Sequence, residues 1–126
     1  MGSPVVWFEI RSSQPERAME FYGALFGWTF TEIDDREHAY WLISTREGTG
    51  TGGLVEQDAG DGQAVMLYVG VEDLEATVTM ATALGAWLEQ PPTDISPEVG
   101  RYAILSDPNG CAFGLWTPNP SRHGVQ

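Results

Sequence analysis

The chain repeats itself. A pattern set down over residues 8–28 returns over residues 67–87 at a constant offset of 59. Phe8 answers to Leu67, Ile10 to Val69, Leu25 to Leu84 and Trp28 to Trp87, and Ala24-Leu25-Phe26-Gly27-Trp28 is echoed by Ala83-Leu84-Gly85-Ala86-Trp87. The alignment needs no gap through this first half of each copy. A fixed internal period of this length means one supersecondary unit used twice. Each copy reads strand, helix, and then three further strands. One such copy has too little apolar cover to bury its own sheet, so the two must share the work. The expected fold is therefore α+β: two βαβββ modules, residues 4–57 and 64–117, forming a curved eight-stranded mixed sheet. Helices would cover one face and a concave cleft would open on the other. At 126 residues the chain fits a single domain, with residues 118–126 as a loose tail.

Local patterns place the elements. Trp7-Phe8-Glu9-Ile10 alternates like a strand with two different faces, within a run over residues 5–11. Phe8 and Ile10 make a core face. Trp7 and Glu9 make the other, an aromatic ring beside a carboxylate, which suits a pocket wall better than a core. Ser13, Pro15 and Glu16 have the spacing of a helix start with Ser13 as the N-cap. Ala18, Phe21, Tyr22 and Leu25 form the apolar stripe of that helix, and Gly27 stops it. Strands follow at residues 28–31 and 39–44, joined by a polar turn at 34–37, and the glycine run 48–53 leads into a fourth strand ending near Val55. After a polar linker over residues 57–63 the cycle restarts. Residues 65–71 alternate; Glu72 and Asp73 open a helix, as its dipole favours; and Leu74, Val78, Ala81 and Leu84 form the stripe. A short strand at 87–89, an irregular proline-rich loop over 90–100, and strands at 102–105 and 112–117 complete the second copy, with Asp107-Pro108-Asn109-Gly110 as the turn between the last two.

Charge narrows the partners. Six Lys and Arg against eighteen Asp and Glu leave a net charge of −12. That argues against nucleic acid, whose affinity comes from cations neutralising phosphates, and disfavours anionic membranes. It suits a cationic ligand without requiring one, because acidity also keeps a small protein soluble. No apolar run approaches the roughly 20 residues of a membrane span, and the start does not resemble a signal peptide. Cys111 is the only cysteine, so neither an intramolecular disulfide nor a thiolate metal cluster is expected. It is expected to be a buried, inert thiol in a cytoplasmic protein. The glycine run lacks the Lys-Ser/Thr of a phosphate loop, and Ser106-Asp107 with a distant histidine is no triad signal. Arg101 and Tyr102 stand either at a pocket edge or on the surface.

Two stretches carry a family resemblance. Ser13-Gln14-Pro15-Glu16-Arg17-Ala18 followed by Phe21-Tyr22-Gly23-Ala24-Leu25-Phe26-Gly27-Trp28 resembles the opening of the vicinal oxygen chelate superfamily, which includes glyoxalase I, extradiol dioxygenases and bleomycin-resistance proteins. Val71-Glu72-Asp73-Leu74-Glu75-Ala76 and the run from Leu105 through Asp107-Pro108-Asn109-Gly110 to Leu115 agree, so the likeness covers residues 4–117. It implies paired βαβββ modules and, since single-domain members pair, a homodimer. In metal-dependent members the concave face supplies ligands from the first and last strand of each module. Here those positions fall on Trp7, Met66, Gly53 and Gly114. An indole, a thioether and two glycines make no divalent site. The two histidines, His38 and His123, lie beside a turn and in the tail. The expectation is therefore no metal and no cofactor.

What stands in place of the ligands suggests a small-molecule site. Trp7, Glu9, Met66 and Tyr68 share a face if both first strands keep their alternation, and Gly53 and Gly114 leave room beside them. An apolar cavity with a few polar groups is the usual form of an organic-ligand pocket; the alternative is that Trp7 and Met66 merely fill it. Glu9 among aromatic rings would be partly desolvated, which tends to raise a carboxyl pKa. With Tyr68 it is the candidate acid/base pair, or else a structural glutamate hydrogen-bonded to Tyr68 or to a nearby backbone group. Three functions stay open: binding of a hydrophobic or aromatic organic molecule, metal-independent isomerase or lyase chemistry, and sequestration of a drug as in bleomycin resistance.

Overall fold

The computed structural model describes residues 2–33, 39–46, 52–58 and 62–118. The expected turn at 34–37, His38, most of the glycine run before Gly52, part of the linker, and the tail with His123 lie outside the described residues. Ten elements follow in the order β1 (Val5–Ser12), α1 (Pro15–Phe26), β2 (Thr29–Ile33), β3 (Tyr40–Ser44), β4 (Gly52–Glu56), β5 (Val65–Gly70), α2 (Leu74–Ala83), β6 (Trp87–Ser96), β7 (Gly100–Ser106) and β8 (Ala112–Thr117). This is βαβββ twice, an eight-stranded mixed sheet with two helices, as the repeat requires. Two compact units divide the chain: residues 7–66, and residues 1–6 with 67–126. Strands β1 and β5 each pass from one unit to the other.

In the unit of residues 7–66 the strand order is β2-β3-β4-β1. β1 runs parallel to β4, with Phe8 opposite Gly52, Glu9 opposite Gly53 and Arg11 opposite Val55. β3 is antiparallel to both β2 and β4. The core is Trp41, Ile43 and Leu54, against which Phe8, Ile10, Ala18, Met19, Trp28 and Phe30 pack. The alternation of β1 thus holds: Phe8 and Ile10 face the helix, and Trp7, Glu9 and Arg11 face away from it.

Helix α1 differs from its expected form in two ways. Its N-cap is Gln14, which makes no side-chain cap bond, while Ser12 Oγ accepts from the Gln14 N–H at 3.0 Å. Ser13 is therefore one residue short of the cap, because Pro15 already occupies the first helical position. The buried stripe is also turned. Pro15 is buried and Ala18 and Met19 join the core, whereas Phe21 and Leu25 are 59% and 58% exposed. The sheet takes the side of the helix through residues 15, 18, 19 and 22, so Phe21 and Leu25 fall on its flank. Tyr22 stacks on Trp28 at a centroid distance of 5.3 Å. Gly27, at φ 75°, ends the helix in the left-handed conformation that glycine permits.

The other unit has the order β5-β8-β7-β6. Its core is Leu74, Val78, Ala103, Leu105 and Leu115, joined by Val69, Ala81 and Phe113. Asp73 caps α2, its side chain accepting from the Ala76 N–H at 3.0 Å. Leu84 does not complete the stripe: it lies past the helix end and is 75% exposed. Strand β6 is much longer than the expected 87–89. It runs through Pro91 and Pro92 to Ser96, with register shifts along its pairing to β7. Being last in the order, it can carry prolines that a central strand could not. Arg101 in β7 holds Glu75 of α2 at 2.7 Å and Asp94 of β6 at 2.9 Å. That pairing draws the Glu75 carboxyl below its ordinary value, chiefly through the Arg101 hydrogen bond. Cys111 is exposed, not buried, because it directly follows the Asp107–Gly110 turn at the edge of the unit. Among the described residues no helix is long and apolar enough to cross a membrane.

Candidate functional site

The face of β1 turned away from α1 carries a connected row of polar side chains. Trp7 Nε1 donates to Tyr40 Oη at 3.3 Å. Tyr40 Oη donates to Glu9 Oε2 at 3.1 Å. Arg11 Nη2 lies 3.5 Å from Glu9 Oε1 and 3.5 Å from Met66 Sδ. All five residues belong to one compact unit. Period two along β1 brings residues 7, 9 and 11 to the same face. Tyr40 reaches them from β3, across β4, because nothing but a glycine stands between.

That glycine is Gly53. A Cβ placed on it would overlap the Tyr40 hydroxyl and ring. The room that the sequence led us to expect over Gly53 is thus filled by Tyr40. Gly52 does the same on the opposite face for the Phe8 ring. In the other unit, Tyr68 on β5 is the direct register partner of Gly114 on β8, and a Cβ on Gly114 would overlap its ring. Both glycines therefore seat a tyrosine and leave less open space than the sequence suggested.

Burial grades the row. Met66 is 1% exposed and Tyr40 5%, while the side chains of Glu9 and Arg11 are 14% and 22% exposed. Trp7 is half-buried. The surroundings of Glu9 are more polar than a ring of aromatics: a tyrosine hydroxyl donates to one oxygen and a guanidinium faces the other. The hydroxyl is that of Tyr40; Tyr68 lies in the other unit. The sequence did not single out Tyr40 or Arg11. For Arg11 the signal was present, since it is two residues beyond Glu9 on the same face. For Tyr40 the reach across β4 depends on register, which the sequence does not state.

The donor set does not fit a divalent cation. At the four positions the family resemblance marks for metal ligands stand Trp7, whose N–H is engaged as a donor, Met66, whose sulfur faces a cation, and two glycines overlaid by tyrosines. Among the described residues no three of His, Cys, Asp and Glu come together in a way that could hold a metal ion.

Comparison with known proteins agrees with the repeat. The glyoxalase-like domain family matches residues 7–116. CFP32 of Mycobacterium bovis, which carries a provisional glyoxylase name, is 31% identical over 119 residues, covering 94% of this chain and 45% of its own. The anthracycline biosynthesis protein DauV of a Streptomyces species is 25% identical over 130 residues, covering 91% of this chain and 46% of its own. The chain thus spans about half the length of the curated relatives it matches. Among solved structures, methylmalonyl-CoA epimerase from Mycobacterium tuberculosis superposes with a TM-score of 0.66 at 18% identity, covering 96% of this chain and 91% of that one. The 2,3-dioxygenase LapB of a Pseudomonas species gives 0.61 at 11% identity over 91% of this chain and 42% of that one. The protein belongs to the glyoxalase-like domain family of the vicinal oxygen chelate superfamily.

Proposed function

We propose that this protein binds a small hydrophobic or aromatic organic molecule on the Trp7–Glu9–Arg11 face of β1, without a divalent metal. The observation that carries this is the row itself. A half-buried indole, a carboxylate and a guanidinium follow one another along one face of β1, which is the mixture of apolar wall and few polar groups that organic ligands use. Met66 and Gly53 are proposed as residues beneath this face, Gly53 under the Tyr40 ring. Tyr68 and Gly114 are proposed as ligand-lining residues on their own unit. The Streptomyces relative's name lies in anthracycline biosynthesis, which makes polycyclic aromatic ketones a reasonable ligand class. The exposed apolar side chains Phe21, Leu25 and Leu84 support a homodimer.

A second reading is acid/base catalysis such as isomerisation or elimination. It is favoured by the Glu9 carboxylate, held by Tyr40 and still partly reachable. Glu9 would take a proton and Tyr40 would orient it.

One titration separates these. An anthracycline aglycone, a neutral polycyclic quinone, is added to the protein with excess chelator present, and its fluorescence is followed while light scattering reads the mass. Saturable binding at dimer mass, weakened tenfold or more in Trp7→Ala, is expected, since stacking on an aromatic ring contributes about 1 kcal/mol or more. Binding indifferent to Trp7→Ala, or lost on chelation, would contradict the site or its independence of metal. Glu9→Gln then divides the two readings: a binder keeps its affinity, whereas acid/base turnover falls by about 100-fold or more.

A further inference from the structure

Arg11 has more hydrogen-bonding capacity than its neighbours use. Its backbone is fixed, the N–H donating to the Ala64 carbonyl at 2.7 Å. Its side chain is 22% exposed, and none of its nitrogens is both buried and without a partner, so the donors its neighbours do not use face water. Its side-chain partners among the described residues are one carboxylate oxygen and one thioether sulfur, both at 3.5 Å. For the carboxylate oxygen that distance is at the outer limit of a hydrogen bond, and a thioether is a weak acceptor. Both contacts use Nη2 alone. A guanidinium donor that faces water on a partly buried face can exchange that water for a ligand's acceptor oxygen.

The neighbours decide what can. The Glu9 carboxylate already has Arg11 beside one oxygen and the Tyr40 hydroxyl on the other. An arriving organic cation finds its natural counter-ion engaged. An arriving carboxylate would meet Arg11 only alongside Glu9, a like charge. An uncharged ligand with a strong acceptor oxygen meets neither obstacle. Nη1 and Nε of Arg11 have no partner among the described residues, and the Trp7 ring, four residues back on the same face of β1 and beyond Glu9, offers an aromatic surface.

We propose that Arg11 is the specificity-determining residue of this face, donating to the carbonyl oxygen of an uncharged aromatic ketone or quinone that lies against Trp7. The inference rests on the reading of this face as the ligand site, and it names the residue that would select an uncharged ketone over charged aromatics there. It also disfavours a cationic drug as the ligand, despite the net charge of −12: the local pairing of Glu9 outweighs the diffuse field of surface acids, which salt screens.

The test uses four naphthalene probes of one size: 2-acetylnaphthalene, 2-ethylnaphthalene, 2-naphthoate and 2-naphthylmethylammonium. Affinities for the full chain are measured by calorimetry or competition. The ketone is expected to bind about tenfold more tightly than the hydrocarbon, the step that one hydrogen bond to a charged donor makes, and more tightly than either ion. In Arg11→Met the ketone's advantage should vanish; in Arg11→Lys, which keeps a donor and a charge, part of it should survive. If Arg11→Met fails to melt cooperatively, the wild-type series and Arg11→Lys decide. Equal binding of ketone and hydrocarbon, or tighter binding of either ion, overturns the proposal. If Trp7→Ala weakens all four probes but the ketone has no preference, the site stands and only the role of Arg11 falls. If no probe responds to Trp7→Ala, the site itself falls and Arg11's role with it.

Discussion

Glycine and tyrosine are coupled at two places, Gly53 with Tyr40 and Gly114 with Tyr68, and the coupling gives each glycine a definite job. At Gly53 the absence of a side chain lets Tyr40 reach Glu9 and Trp7. Gly53→Ala should therefore push the tyrosine away, break its hydrogen bonds with Trp7 and Glu9 and cost about 2 kcal/mol. Gly23→Ala is the control: its new methyl group would meet only the Trp28 carbonyl at 3.4 Å. In the interior of α1 that exchange should be neutral or stabilising, because alanine favours helix. Urea denaturation of the two variants reads the difference, and a Gly53→Ala protein as stable as the parent would remove Tyr40 from the site. The sequence marked Gly53 and Gly114 as positions of interest, but it left them as empty space. What fills them depends on which side chain the register brings alongside, and Tyr40 is thirteen positions before Gly53 on another strand.

At the scale of elements, strand alternation was legible and helical faces were less so. Period two leaves a strand residue only two directions, so Phe8 and Ile10 were assigned correctly to the core and Trp7 and Glu9 to the other face. A helix has a continuum of directions, and a rotation of part of a turn moved Phe21 and Leu25 out of the core. Strand β6 was underread because its prolines look like a loop, although the last strand of a sheet tolerates them. The two helix starts differ in a way that denaturation can measure. Asp73 accepts a hydrogen bond from the Ala76 N–H, whereas Gln14 makes no side-chain cap bond. Asp73→Ala should cost about 1 kcal/mol and Gln14→Ala close to nothing. Equal losses would mean that side-chain capping does not distinguish the two helices.

At the scale of the whole molecule, the repeat pointed to the fold, because two βαβββ copies leave few arrangements, and two motif stretches carried the family resemblance. Function was less legible. The scaffold carries many chemistries, and all four positions that the resemblance marks for metal ligands carry other residues here, Trp7, Met66, Gly53 and Gly114. What remained readable was that Trp7 and Glu9 share a face; that Arg11 and Tyr40 complete it required coordinates. The central claim is that this face, and not another aromatic surface of the chain, takes the ligand. The five tryptophans test it directly, since each indole N–H gives its own proton–nitrogen resonance and they are spread over the molecule at positions 7, 28, 41, 87 and 116. On titration with 2-acetylnaphthalene the Trp7 indole resonance should shift saturably together with the Arg11 side-chain signals, while Trp87 and Trp116 stay in place. Shifts confined to Trp87 or Trp116, with Trp7 and Arg11 unmoved, would contradict the account.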